Sequence, residues 1–127
     1  MVDRDDLISY CNELLQIDCF TDYCPNGLQI EGGEIINSIV TSVTASQAVI
    51  TEAIKQRAEL LLVHHGYFWK NDNSILTGIK QRRIKSLLLH DINLLAYHLP
   101  LDAHQEFGNN VTLANRLGIR VNNYLGA

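Results

Sequence analysis

Apolar positions recur at helical spacing from Asp3 to Ile17, where Leu7, Ile8, Cys11, Leu14 and Leu15 share one face. Asp3, Asp5 and Asp6 lie at its start, where negative charge meets the positive end of a helix dipole, so the pattern predicts a helix. Thr21-Asp22-Tyr23-Cys24-Pro25-Asn26-Gly27 then breaks the periodicity, because Pro followed by Asn-Gly is turn chemistry. Leu28-Gln29-Ile30 reads as a short strand ahead of the Gly32-Gly33 break. Ile35 to Thr44 is rich in β-branched residues and predicts a strand, with Ile39-Val40-Thr41-Ser42-Val43 its strongest part.

Ser46 is placed to cap a helix running to about Arg57, with Val49, Ile50, Ala53 and Ile54 on one face. Leu60 to His64 is apolar without alternation, the pattern of a strand buried on both faces. A longer loop follows, carrying Gly66-Tyr67-Phe68-Trp69-Lys70 and Asn71-Asp72-Asn73-Ser74. Ile79 to His90 predicts a third helix, and Leu94 to His98 a third buried strand ended by Pro100. Thr112 to Leu117 predicts a last helix stopped by Gly118, and Ile119 to Val121 the start of another strand. Alternation of this kind argues for an α/β fold, with helices packed on a largely parallel sheet through right-handed crossovers. No internal repeat or low-complexity linker interrupts it. After Val121, Asn122-Asn123-Tyr124-Leu125-Gly126-Ala127 completes no further unit, which points to a fragment.

Composition narrows the partners. A length of 127 residues suits one domain, and 46% hydrophobic against 19% charged residues suits a packed core. Ten Lys and Arg against fourteen Asp and Glu leave a net charge of −4, so no basic footprint points to nucleic acid. The longest apolar run, Leu60-Leu61-Leu62-Val63, is strand-sized and far short of the ~20 residues that span a bilayer. The acidic start Met1-Val2-Asp3-Arg4-Asp5-Asp6 lacks a signal peptide's apolar stretch, so the expected location is cytoplasmic, without membrane partners. Cys11, Cys19 and Cys24 are odd in number and form no Cys-x-x-Cys pair, as expected of reduced thiols.

Chemistry collects where the expected strands end, which is where α/β sheets bind ligands. One strand ends in His64-His65-Gly66, and the next in His98-Leu99-Pro100-Leu101-Asp102-Ala103-His104. Adjacent parallel strands would bring His64, His65, His98 and Asp102 to one edge, a set of imidazoles and a carboxylate suited to Zn, Mn, Fe or Co. Neighbouring residues on an extended strand face opposite ways. Either the backbone bends at once after His65, with Gly66 permitting it, or each histidine serves a different ion of a two-metal site. The same dipeptide also fits a partly solvated pair hydrogen-bonded to backbone. His98 is a candidate for orienting a ligand or shuttling a proton, and His104 lies in the loop beyond Asp102. His90, at a helix end, reads as structural. Asp22 with Asn26-Gly27 is a candidate polar lip, although turns use these residues for local reasons. Lys80, Arg82, Arg83 and Lys85 read as a solvated helix face. Tyr67, Phe68 and Trp69 suit either stacking on a substrate or packing against a neighbouring subunit.

With these motifs in view the sequence resembles the bacterial Nif-three-like family, whose members are commonly labelled GTP cyclohydrolase 1 type 2 homologues. The resemblance rests on Asp22-Tyr23-Cys24-Pro25-Asn26-Gly27-Leu28-Gln29, Val43-Thr44-Ala45-Ser46, Val63-His64-His65-Gly66-Tyr67-Phe68-Trp69-Lys70, Asp91-Ile92-Asn93-Leu94, Tyr97-His98-Leu99-Pro100-Leu101-Asp102-Ala103-His104 and Gly108-Asn109-Asn110. It implies an α/β Nif-three-like fold, a centre of two divalent metal ions per complete subunit, and a toroidal homohexamer. His64, His65 and Asp102 match the family's metal ligands, and a histidine and a glutamate from a second half would complete the set. Residues 1–127 would then be the N-terminal half, with the C-terminal half absent. The activity implied is hydrolysis of a nucleotide-like or related small molecule by a metal-activated water, with His98 or His104 as proton carrier. The alternative is a non-catalytic, metal-dependent oligomeric scaffold or regulatory binding protein.

Overall fold

In the computed structural model, which describes residues 1–124, strand β1 (Val2–Asp3) leads directly into helix α1 (Arg4–Leu14). The Asp3 carboxylate accepts from the Asp5 and Asp6 amides at 2.8 and 3.3 Å, satisfying two of the free N–H groups at the helix start. The helix stops three residues short of the expected Ile17. The Leu15 and Gln16 amides fold back onto the carbonyls of Cys11 and Glu13, Gln16 takes a left-handed φ of 50°, and a 3-10 turn covers Ile17–Cys19. This bend turns Leu15 into the core.

Strands β2 (Gly27–Ile30), β3 (Ile35–Ile36) and β4 (Ile39–Thr44) follow. The single strand expected over Ile35–Thr44 is therefore two. Glu59 Oε2 accepts from the amides of Asn37 and Ser38 at 3.2 and 2.8 Å, drawing that dipeptide out of the ladder. As a result β3 pairs with β1, while β4 joins the main sheet.

Helix α2 (Gln47–Lys55), capped by Ser46 Oγ on the Val49 amide, leads to β5 (Leu60–His65). Helix α3 (Gly78–Leu89) leads to β6 (Asn93–Ala96). Two more helices follow β6. Helix α4 (Leu99–Ala103) was not expected, and α5 (Asn109–Arg116) begins three residues before the expected Thr112. Pro100 lies in the first turn of α4, where its missing N–H costs nothing, and the strand before it ends at Ala96 instead of His98. Residues 119–124 form no strand, so the one expected at Ile119–Val121 is absent.

The main sheet has the order β2-β6-β5-β4, with β4, β5 and β6 parallel and β2 antiparallel at one edge. Its register sets Leu61 beside Leu94 and Val63 beside Ala96. On one face, Ile50 and Ala53 of α2 and Ile84 and Leu87 of α3 pack with Leu61, Val63, Leu94 and Ala96. On the other, Leu7, Ile8 and Cys11 of α1 pack against a layer of Leu15, Ile36, Leu60, Leu95 and Tyr97. Coverage on both faces explains why β5 and β6 are apolar without alternation. Among the described residues Asn93 is a fully buried polar side chain, and its groups are all partnered: it accepts from Gly32 N and donates to the carbonyls of Gly33 and Glu59. Among the described residues no helix is long and apolar enough to cross a membrane.

Candidate metal centre

The carboxyl ends of β5 and β6 converge as the sequence implies. The β5–β6 pairing ends at Val63 and Ala96, where the Tyr97 amide still donates to the Val63 carbonyl at 3.0 Å. Beyond that point the two chains separate and His64, His65 and His98 emerge together. The His64 and His65 rings lie 4.5 Å apart, although neighbours on a regular strand would face opposite ways. Gly66 lets the chain beyond them pack closely: a Cβ there would collide with Gln29 Oε1 and come within 2.8 Å of the Ala96 Cβ. The His98 ring is 5.1 Å from that of His64 and 5.8 Å from that of His65. One donor nitrogen from each of the three lies within 4.8 Å of the others.

Each ring is anchored. His64 Nδ1 donates to the Tyr97 carbonyl at 2.8 Å, and His64 Nε2 is 3.4 Å from Asp102 Oδ1. Asn109 Nδ2 donates to the same Asp102 oxygen at 2.9 Å, fixing the carboxylate from the start of α5. That start approaches closely because Gly108 has no side chain; a Cβ there would collide with the His104 carbonyl oxygen. His65 Nδ1 is 3.3 Å from Thr44 Oγ1 on the adjoining strand. Burial, then the nearby His64 and His98, hold the His65 imidazole below its usual pKa, favouring its neutral form.

Asp22 is more deeply built in than the sequence suggested. Its side chain is 3% exposed, and it accepts from His98 Nδ1 at 2.8 Å, Leu99 N at 2.9 Å, Tyr23 N at 2.6 Å and Asn26 Nδ2 at 2.9 Å. Burial opposes its ionisation, but the hydrogen bonds from Asn26, His98, Leu99 and Tyr23 outweigh it and hold the carboxyl below its usual range. Asn26 Oδ1 accepts from the His98 amide at 2.7 Å. The Asp22–Asn26 turn thus grips both the ring and the backbone of a residue more than 70 positions away. The sequence offers Asp22 with Asn26-Gly27 only as a candidate polar lip, because Asx residues serve local turns in the same pattern.

The thiol of Cys24 lies within 4.8 Å of donor atoms of Asp22 and His98. Burial, with the Asp22 charge second, pushes it up to about 11, so it is protonated at neutral pH. Trp69 sets its ring edge-on to His98 at 5.0 Å. Tyr67 is core, its hydroxyl donating to the Ala45 carbonyl at 2.7 Å, and Lys80 Nζ sits 5.2 Å over the Phe68 ring. Of the three, only Trp69 packs against the histidine cluster; neither Tyr67 nor Phe68 is stacked there. His104 stands apart from the trio: its Nδ1 accepts from the amides of Glu106 and Phe107, and its ring stacks on Phe107. His90 Nδ1 lies 2.8 Å from the Ser86 carbonyl at the exposed end of α3, in agreement with a structural reading. An apolar cleft lined by Val43, Leu62, Tyr97, Leu101 and Phe107 borders His64.

Set beside known proteins, residues 2–127 match the family described as Duf34/NIF3 (NGG1p interacting factor 3). A "GTP cyclohydrolase 1 type 2 homolog" of Neisseria meningitidis serogroup A is 58% identical over 126 residues, covering 99% of this chain and 51% of that protein. One of the same name from Pseudomonas aeruginosa is 54% identical, covering 91% of this chain and 46% of that protein. The chain spans about half the length of these curated relatives. Among solved structures, protein ybgI, described as of unknown function, superposes with a TM-score of 0.96 at 49% identity, covering 98% of this chain and 51% of that one. A protein from Thermus thermophilus gives 0.87 at 42%, covering 92% of this chain and 48% of that one.

Proposed function

This chain belongs to the Duf34/NIF3 family, and from that premise we propose that it carries half of a divalent-metal site in a metal-dependent hydrolase acting on a nucleotide-like or related small molecule. The observation that supports this reading most directly is the convergence of His64, His65 and His98, with Asp102 3.4 Å from His64 Nε2. Three imidazoles and a carboxylate fit Zn, Mn, Fe or Co. His64, His65 and Asp102 would hold the metal, and the longer protein's complete site would take two ions. A bound ion supplies Lewis acidity, polarising an electrophilic carbon or phosphorus and making water a stronger acid.

The chain's own part is to present ligands and a proton carrier without rearrangement. The Tyr97 carbonyl keeps His64 in the form with its lone pair on Nε2, and Asn109 aims Asp102. His98 carries the proton in this reading. His104, the other candidate carrier, has its Nδ1 held by two backbone amides and its ring stacked on Phe107, apart from the trio. The nucleotide class of substrate is suggested by the name the relatives bear. In the same reading the longer protein is a cytoplasmic homo-oligomer, hexameric as the family resemblance implies, with neither nucleic-acid nor membrane partners.

The test is elemental analysis of the purified protein, paired with turnover assays on nucleotide and pterin-like substrates before and after chelation. Bound metal with turnover that chelation abolishes is the expected result. Stoichiometric metal without turnover would favour the scaffold alternative, and absence of metal affinity would remove both.

A further inference from the structure

We propose that Asp22 is a positioning residue for His98: its carboxylate fixes the ring as the Nδ1–H tautomer and leaves the Nε2 lone pair to the histidine cluster. The tautomer follows from the partners. A carboxylate in its ionised form only accepts, so the nitrogen 2.8 Å from Asp22 Oδ1 must carry the proton. With its side chain 3% exposed, Asp22 has little contact with water that would compete for that bond. The carboxylate cannot turn away either. Oδ1 also takes the Tyr23 amide, while Oδ2 takes the Leu99 amide and Asn26 Nδ2, so four donors hold it.

The backbone of His98 is secured by the same turn, through Asn26 Oδ1 on its amide at 2.7 Å. Trp69 closes on the ring from another side at 5.0 Å. Nδ1 is thereby committed, and Nε2 is the nitrogen His98 has left for the groups around it. An anionic partner on Nδ1 also makes Nε2 a stronger acceptor than a neutral one would. This arrangement parallels that of His64, whose Nδ1 partner is a backbone carbonyl; His98 differs in having a charged partner from a distant turn. The inference rests on the reading above only for what the cluster binds, and the tautomer stands independently of it.

The experiment is long-range proton–nitrogen correlation on the nitrogen-15-labelled, metal-free chain, with the His98 signals assigned from a His98→Gln variant. The expected result is a protonated Nδ1 and an unprotonated Nε2. A wild-type ring dominated by the Nε2–H form, or averaging freely between forms, would overturn the proposal. In Asp22→Ala the Nδ1–H of His98 loses its carboxylate acceptor. The ring should then shift toward the Nε2–H form or average between the two forms. A folded Asp22→Ala protein with the wild-type tautomer would also overturn it. If that variant does not fold, the wild-type spectrum decides. A chain with the expected tautomer but no affinity for Zn²⁺ would sink the metal reading and leave this assignment intact.

Discussion

His64 Nδ1 lies 2.8 Å from the backbone carbonyl oxygen of Tyr97, and because a carbonyl only accepts, Nδ1 carries a proton and the neutral ring has its lone pair on Nε2. That lone pair is 3.4 Å from Asp102 Oδ1, itself held by Asn109. The end of one parallel strand therefore sets which nitrogen is protonated on a histidine of its neighbour. The same hydrogen bond makes the site's chemistry depend on the sheet's register.

Removing either member of this pair should weaken metal binding. His64→Ala and Asp102→Ala are each expected to reduce Zn²⁺ or Mn²⁺ affinity at least about tenfold by calorimetry. His90→Ala, at the exposed end of α3, should leave affinity unchanged. A His90→Ala loss equal to that of His64→Ala would put the site elsewhere.

Binding should also depend on pH with a definite sign. Ligand imidazoles must be neutral, so protons compete with the metal as pH falls through about 6.5, the ordinary histidine value. His65 is held below that value, chiefly by burial, so it stays in the ligating form to lower pH than a free imidazole does. For the metal-free chain the folded state binds fewer protons at His65 than the unfolded state. That site's contribution to stability is therefore full above about pH 6.5 and declines as pH drops. Calorimetric affinities and urea midpoints across about pH 5–8 check both slopes; affinity that rises on acidification would contradict the first.

The buried Asn93 offers a stability test away from the histidines. Asn93→Leu leaves the Gly32 amide and the Gly33 and Glu59 carbonyls without their side-chain partner. A cost of about 3 kcal/mol is expected in urea denaturation, from the desolvation of the Gly32 amide and Gly33 carbonyl left without that partner, while the Glu59 carbonyl keeps the residue 93 amide at 2.9 Å. A change below about 1 kcal/mol would show that those groups find other partners.

Association should trace to the β4 edge. Among the described residues β4 pairs only with β5, and its Ile39 and Val43 are 45% and 66% exposed. An uncovered apolar edge strand is a template for pairing with another chain. Val43→Lys should shift light scattering toward the monomer, and an unchanged mass distribution would remove β4 from the interface.

Much of this was written in the chain. The unbroken apolar runs of β5 and β6 announced buried parallel strands, and the alternation with helices announced the layered α/β fold. The local motif His64-His65-Gly66, followed by Leu99-Pro100-Leu101-Asp102, reads as candidate chemistry because strand ends in such sheets are where ligands bind, and the structure brings His64, His65 and His98 together there.

Other features depended on long-range contacts. Nothing within Ile35–Thr44 shows that Glu59 will pull Asn37 and Ser38 out of the ladder, since the partner is 21 residues or more away. Nothing near Asp22 distinguishes a local Asx turn from a clamp on His98, because both use the same residue types. Local propensity and periodicity are read over a few neighbours, which is why they located the elements and the strand ends. Which imidazole nitrogen keeps its proton, and which carboxylate faces which ring, were decided by hydrogen bonds between segments that meet only when the sheet is assembled.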